Sequence, residues 1–383
     1  MKVVIAIDSF KGSLSTFEAG DAARTGLLRA CPDAEVTVLP IADGGEGTVD
    51  AVVAGTGGKV RELTVTGPLG TPVTARYGIV EQTSTAVIEM AAAAGITLVP
   101  PERRDPLYTT TYGVGELILD ALDLGMRRFI IGIGGSATND GGVGMLSALG
   151  FRFEDRAHAA IRRGGIGLCD LAHIDPTGAD ERLKTCEFRI ACDVTNPLTG
   201  PRGASAVYGP QKGATPKTVE RLDAALSLYA EKTREVISDA DPDYPGSGAA
   251  GGMGFAFRTY LGATLTSGIA LVMEATKLEA HVKTADVVIV GEGRLDGQSA
   301  MGKAPVGVAR LAKAYRKPVI ALSGCIARDA SLCNQYGIDA FFPILPAPIS
   351  LAEAMDPENA AENLANTAEQ VFRLISAFKA GNK

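Results

Sequence analysis

Short, wholly apolar runs alternate with amphipathic stretches at both ends of the chain, and the middle follows a different rhythm. Residues 3–7 contain no polar position, the mark of a strand buried on both faces of a parallel sheet. The spacing over 15–30 predicts a helix, with Ser15 or Thr16 as its cap and Glu18 near its start. Residues 35–41 form a second predicted strand, followed by an acidic glycine loop and a helix over 49–54. From about residue 285 the pattern returns. Residues 286–290, 318–322 and 340–344 read as strands, 306–315 and 331–336 as helices, and 359–378 as a closing amphipathic helix.

Between these ends, 61–66, 73–80 and 86–90 alternate apolar with polar positions, separated by Gly67, Pro68, Gly70 and Pro72. That rhythm predicts an antiparallel meander. A helix start at 109–118, a strand at 129–131, a helix at 143–149, a strand at 188–192 and a long helix at 216–238 follow. The expected fold class is therefore α/β. Both chain ends, 1–61 plus 283–383, form a Rossmann-like parallel-sheet domain, and 62–282 form an inserted mixed α+β domain. A length of 383 residues supports two cores.

Charge and cysteine usage narrow the function classes. A net charge of −7, with no basic cluster beyond the isolated pairs Arg103-Arg104, Arg127-Arg128 and Arg162-Arg163, argues against a nucleic-acid partner. Six cysteines without a Cys-x-x-Cys and three scattered histidines argue against zinc or a disulfide framework, and fit free thiols in a reducing cytoplasm. No apolar run approaches a membrane span, so the expectation is a cytoplasmic protein with no membrane partner. The pattern leaves oligomeric state open.

The chemistry concentrates in glycine-rich loops just after predicted strands, where ligands of open parallel sheets bind. The richest is the stretch from Gly132 to Met145, holding Gly134, Gly135, Ser136, Thr138, Asn139 and Asp140 between a strand and a helix. Glycines let backbone N–H groups converge on an anion, and the following helix start adds its positive end. Neither the Walker A spacing nor the dinucleotide Gly-x-Gly-x-x-Gly is present. A tight turn with nothing bound is the alternative.

Five further clusters carry acids, amides or lysines. Asp8-Ser-Phe-Lys-Gly offers Lys11 to a phosphate, unless the lysine is merely solvated. Asp43-Gly-Gly-Glu46 sets two carboxylates that suit Mg²⁺ or substrate hydroxyls. Asp193 and Asn196 follow the 188–192 strand, where a carboxylate can act as general base or where the pair can simply form a turn before Pro197. Gln211 and Lys212 sit in a constrained loop, where the lysine either bridges transferring phosphoryl oxygens or is an ordinary exposed side chain. Glu292, Arg294 and Asp296 alternate along an extended loop, as ligands or as a structural Arg–Asp pair. A third glycine cluster, 246–254, suits a nucleotide or a hinge. Together these are the needs of phosphoryl transfer, which depends on positioning and charge neutralisation.

In this order the clusters resemble the glycerate kinase type-1 family. The shared strings are Asp-Ser-Phe-Lys (8–11), Ala-Asp-Gly-Gly-Glu-Gly-Thr (42–48), Thr-Thr-Tyr-Gly-Val-Gly-Glu-Leu-Ile (110–118), Gly-Gly-Ser-Ala-Thr-Asn-Asp-Gly-Gly (134–142), Cys-Asp-Val-Thr-Asn-Pro-Leu (192–198), Gly-Pro-Gln-Lys-Gly-Ala (209–214) and Gly-Glu-Gly-Arg-Leu-Asp-Gly-Gln (291–298). Ser299 stands where the family leads one to expect Thr. The resemblance implies an ATP- and Mg²⁺-dependent kinase acting on D-glycerate in organic acid catabolism, with transfer to the 2-hydroxyl favoured.

Residue chemistry then suggests roles. Asp193 is the expected base, and Lys11 and Lys212 the expected neutralisers of phosphate oxygens. Arg294, with Asp8, Asn196 and Asp43, would bind the small-molecule substrate. Gly134, Gly135, Ser136, Thr138, Asn139 and Asp140 would cradle ATP, and Glu46, Glu292 and Asp296 would hold Mg²⁺. A kinase for another hydroxy acid, or a non-catalytic sensor of a phosphorylated metabolite, are the competing readings.

Overall fold

The structure, a computed structural model, describes residues 1–381. They divide into two compact units, one of 1–43, 50–56 and 272–383 and the other of 44–49 and 57–271. The sequence reading sets its crossings at 61/62 and 282/283.

The first unit is an all-parallel five-stranded sheet. Taken across the sheet, its strands are Ala340–Pro343, Val319–Ile326, Val287–Leu295, Lys2–Ile7 and Glu35–Val38. In chain order that is a 2-1-3-4-5 doubly wound sheet, whose direction reverses between the first strand and Val287–Leu295. The continuous apolar run at 3–7 becomes an interior strand because both its faces are covered. Helix Thr16–Ala30 starts on a capping box: the Ser15 hydroxyl takes the Glu18 N–H at 3.2 Å and Glu18 returns to the Ser15 N–H at 2.8 Å. It packs on the closing helix Pro357–Gly381 so tightly that a Cβ at Gly26 would stand 1.8 Å from the Ala365 carbonyl oxygen.

Two local expectations in this unit change. Residues 330–336 wind as a 3-10 helix, Ala330–Tyr336, not an α-helix. The segment read as a loop over 292–295 is strand: Glu292, Arg294 and Leu295 all register against Val319–Ile326. Gly291 admits this by removing bulk, since a Cβ there would stand 2.2 Å from the Leu322 oxygen.

The second unit holds a six-stranded mixed sheet. Lys59–Thr66, Pro72–Val80 and Thr85–Glu89 form the expected antiparallel meander. From there Arg128–Gly132, Glu187–Ala191 and Thr264–Thr266 continue in parallel. Helix Tyr112–Asp123 makes the crossover into the parallel half and buries Val114, Leu117, Ile118 and Ala121. A two-stranded ribbon, Arg152–Glu154 with His173–Asp175, stands apart. Among the described residues no helix is long and apolar enough to cross a membrane, and all six cysteines are unbridged.

Candidate active site

The proposed site residues fall into two constellations, each at the carboxyl edge of its own sheet. In the first unit Asp8 follows the strand Lys2–Ile7 and its N–H bonds the Gly291 oxygen at 2.9 Å. Glu292 follows Gly291 on the neighbouring strand. The two acids thus mark the point where the sheet reverses, the crevice at which doubly wound sheets bind ligands. Asp8 is buried, and burial followed by the charge of Asp43 lifts its pKa to about 7. Burial also raises Glu292, against the Ser299 hydroxyl that bonds it and the charge of Lys303. Lys11 is exposed three residues past Asp8, on a tight loop closed by Phe10 and Leu14.

Arg294 and Asp296 lie further along. Arg294 leaves 67% of its side chain exposed and stands 3.6 Å from Asp296. Asp296 also takes the N–H groups of Gln298 at 2.9 Å and Ser299 at 3.2 Å, so part of its capacity closes a turn.

In the second unit the strands Thr85–Glu89, Arg128–Gly132 and Glu187–Ala191 end in register, Glu89 with Gly132 and Gly132 with Ala191. Two residues beyond those ends come Gly134 and Asp193. The segment 44–49 lies over this edge. Gly44 fits only because neither it nor Gly132 has a side chain: a Cβ at Gly132 would stand 2.1 Å from the Gly44 oxygen. Gly134 and Gly135 are exposed, as is Glu46. The Val49 N–H at the next helix start is taken by Glu89 at 2.8 Å. Asp193 is exposed and receives the Gly268 N–H at 3.3 Å. Asn196 is internally engaged, donating to the Arg202 oxygen at 2.8 Å and accepting from the Tyr208 hydroxyl at 2.7 Å.

The rest of the glycine loop is buried and tied to its surroundings. Asp140 accepts from the Thr111 N–H (2.8 Å), the Thr111 hydroxyl (2.9 Å) and the N–H groups of Gly142 (3.1 Å) and Gly144 (3.3 Å), while its burial pushes its pKa up. Asn139 donates to Ser205 at 3.0 Å, and Thr109 to the Ala137 oxygen at 2.9 Å. Lys212 is 2% exposed, and its ammonium donates to the Ser136 hydroxyl at 2.8 Å and the Thr138 oxygen at 2.6 Å. Burial brings its pKa down to about 7, against the charge of Asp140. Buried oxygens of Thr138 (Oγ1) and Asn139 (Oδ1) find no protein partner, leaving acceptor capacity beside the cation.

The sequence reading gave no role to several residues that shape the site. Thr109 and Thr111 anchor the loop, Ser299 holds Glu292, and Glu89 fixes a helix start. The 246–254 cluster, which suits a nucleotide or a hinge, also buttresses the loop. A Cβ at Gly251 would stand 2.1 Å from the Thr138 oxygen, and the Gly141 N–H bonds the Gly251 oxygen at 2.9 Å. Among the described residues no three His, Cys, Asp or Glu side chains are arranged to hold a metal ion. Glu292 and Asp296 belong to the first unit, Glu46 to the second.

Parallel sheets flanked by helices define an α/β protein, and acids at a sheet reversal and a buried lysine inside a glycine loop are groups that phosphoryl transfer can use. Residues 3–376 match the glycerate kinase family, and the chain belongs to it. It is 50% identical to the glycerate kinase of Bacillus subtilis, over 99% of both chains. It is also 50% identical to the glycerate 2-kinase of Escherichia coli, over 98% of both. The crystal structure of a candidate glycerate kinase 2 from Salmonella typhimurium LT2 shares the fold with a TM-score of 0.91, at 50% identity and 99% coverage of both chains.

Proposed function

We propose that this protein transfers the γ-phosphoryl group of ATP to the 2-hydroxyl of D-glycerate, with Mg²⁺, in cytoplasmic organic acid catabolism. The observation that carries this reading is Lys212, a buried ammonium held inside a glycine loop whose Gly134 and Gly135 remain exposed. A cation placed there offsets the charge of transferring phosphate oxygens, and their approach holds its proton in place. Asp193 takes the hydroxyl proton as the oxygen attacks phosphorus, and ADP leaves. Arg294 grips the carboxylate of the substrate, and Asp43 and Asn196 are assigned to its polar groups. Lys11 adds a second cation. The name of the Escherichia coli relative supports the 2-position.

Carboxylate oxygens suit a hard divalent ion, and Asp8 and Glu292 follow paired strand residues at the sheet reversal. Mg²⁺ commonly binds through one or two carboxylates plus substrate phosphates, so a three-residue cage is unnecessary. Glu292 and Asp296 would hold it, and it would supply charge neutralisation at the phosphates. On this reading the two units are separate domains.

The test is a coupled assay with ATP, Mg²⁺ and D-glycerate, the product read by phosphorus NMR. ADP release with a phosphate on C2 is expected. Phosphate on C3 would overturn the regiochemistry. Turnover only with another hydroxy acid would overturn the substrate, and none with any would favour a sensor.

A further inference from the structure

A cavity of about 300 Å³ opens in the second unit behind the glycine loop, and the proposed chemistry does not use it. Val143, Phe151, Phe153 and Ile161 give it an apolar lining. Arginines 152, 162 and 163 also line it. Two of them are occupied: Arg152 is paired with Asp175, and Arg162 with Asp170 at 3.0 Å. Two acids stand on the wall: Glu154, hydrogen-bonded to His158 at 3.0 Å, and Asp140, whose carboxylate accepts from Thr111, Gly142 and Gly144.

Arg163 differs. Its guanidinium lies 3.7 Å from the centre of the Tyr112 ring, with no carboxylate partner among the described residues. Stacking fixes the plane of the fork and leaves its N–H edges available. The backbone beneath is pinned as well. Gly164 has φ +90° and packs where a Cβ would stand 2.5 Å from the Leu107 oxygen, and the Ile166 N–H bonds that same oxygen at 2.9 Å. A preorganised cation over an apolar chamber recognises a negative group attached to an apolar body. The volume sits at the bottom of the range of ligand sites, roughly 300–1,000 Å³, and so favours a small molecule over a nucleotide.

We propose that this cavity binds a small organic anion, a phosphate or carboxylate on a compact apolar body, through the fork of Arg163. Its occupant reaches the glycine loop from behind. Asp140 and Gly144 form part of the wall, and Asp140 carries the hydrogen bonds from Thr111, Gly142 and Gly144 that set the loop's shape. Tyr112, which holds Arg163, is the residue next to Thr111. Binding therefore tunes the loop that the lysine occupies, and linkage makes the effect reciprocal.

The experiment is calorimetric titration of the full-length protein with phenyl phosphate, and in parallel with benzoate. At least one is expected to bind with a Kd of about 1 mM or tighter. Arg163→Ala should weaken that binding about tenfold through loss of the charged fork, whereas Arg162→Ala, whose guanidinium is already paired, should leave it within about twofold. Saturating ATP and D-glycerate should shift the affinity without abolishing binding. Absence of binding by both probes, equal binding by the Arg163→Ala protein, or complete displacement by ATP would each overturn the proposal. Because the readout is heat of binding, it stands apart from whether glycerate is the substrate.

Discussion

Lys212 is the side chain on which burial and chemistry pull hardest against each other. A lysine whose pKa falls from 10.5 to about 7 on folding binds fewer protons folded than unfolded between those values. Stability therefore rises with pH across that window, and the cost of burying the cation is complete below about pH 7. Lys212→Met removes both the cost and the catalytic charge. The expected result is a kcat/KM lower by roughly 10²–10³-fold, the scale of a lost preorganised charge contact. Melting curves at pH 6 and pH 10 should place the variant higher relative to the wild type at pH 6. An identical difference at both would mean that Lys212 does not titrate there. Asp193 makes a sharper demand: Asp193→Asn keeps the shape and removes the base, so turnover should fall by about 10²-fold or more. A loss within a few-fold would end the assignment of Asp193 as base.

Among elements, the glycine segments divide into those that bind and those that only support. The loop at 134–142 exposes Gly134 and Gly135, while the Asn139 amide N–H and the Asp140 carboxylate hold it from within. Its buttress is testable by paired substitutions. Gly251 has φ +72° and no room, since a Cβ there would stand 2.1 Å from the Thr138 oxygen, whereas Gly70 has φ +77° and nothing within 4 Å. Gly70→Ala should cost about 1 kcal/mol of left-handed strain. Gly251→Ala adds a backbone clash, should cost about 3 kcal/mol and should reduce activity by displacing the loop. Denaturant midpoints with unchanged m-values are the measurement, and equal costs would refute the buttress. The same glycines explain why the element was hard to read. A run of glycine and alanine at 246–254 has the same composition whether it faces a ligand or another backbone, and the distinction lies in residues 138–141.

At the scale of the whole molecule, the first and last segments of the chain build one unit. The closing helix covers the central sheet with Leu364, Ala368 and Phe372, all buried beside Leu27 and Ile5. A chain ending at Asp356 loses that cover, so its first unit should unfold and expose apolar surface. Dye binding and proteolysis should report this, and a truncated chain that melts at the wild-type temperature would contradict it. The parallel strands at both ends were legible because burial on two faces demands unbroken apolar runs, as at residues 3–7. The meander was legible because one-sided burial demands alternation. The 3-10 segment Ala330–Tyr336 and the extension of strand through Leu295 were not, since neither has a periodicity of its own.

What the sequence determined by itself is what local backbone chemistry dictates. It set the strand and helix alternation, the capping box at Ser15, the glycine loops after strands, and the family to which the chain belongs. Only the tertiary structure decided which polar residues are buried and against what. It drew Lys212 onto Ser136 and Thr138, set Asp8 beside Glu292 at the sheet reversal, and placed Asp140 among backbone N–H groups. A side chain's charge and reach are properties of its own residue, whereas the solvent it loses and the partners it gains come from segments far away in the chain.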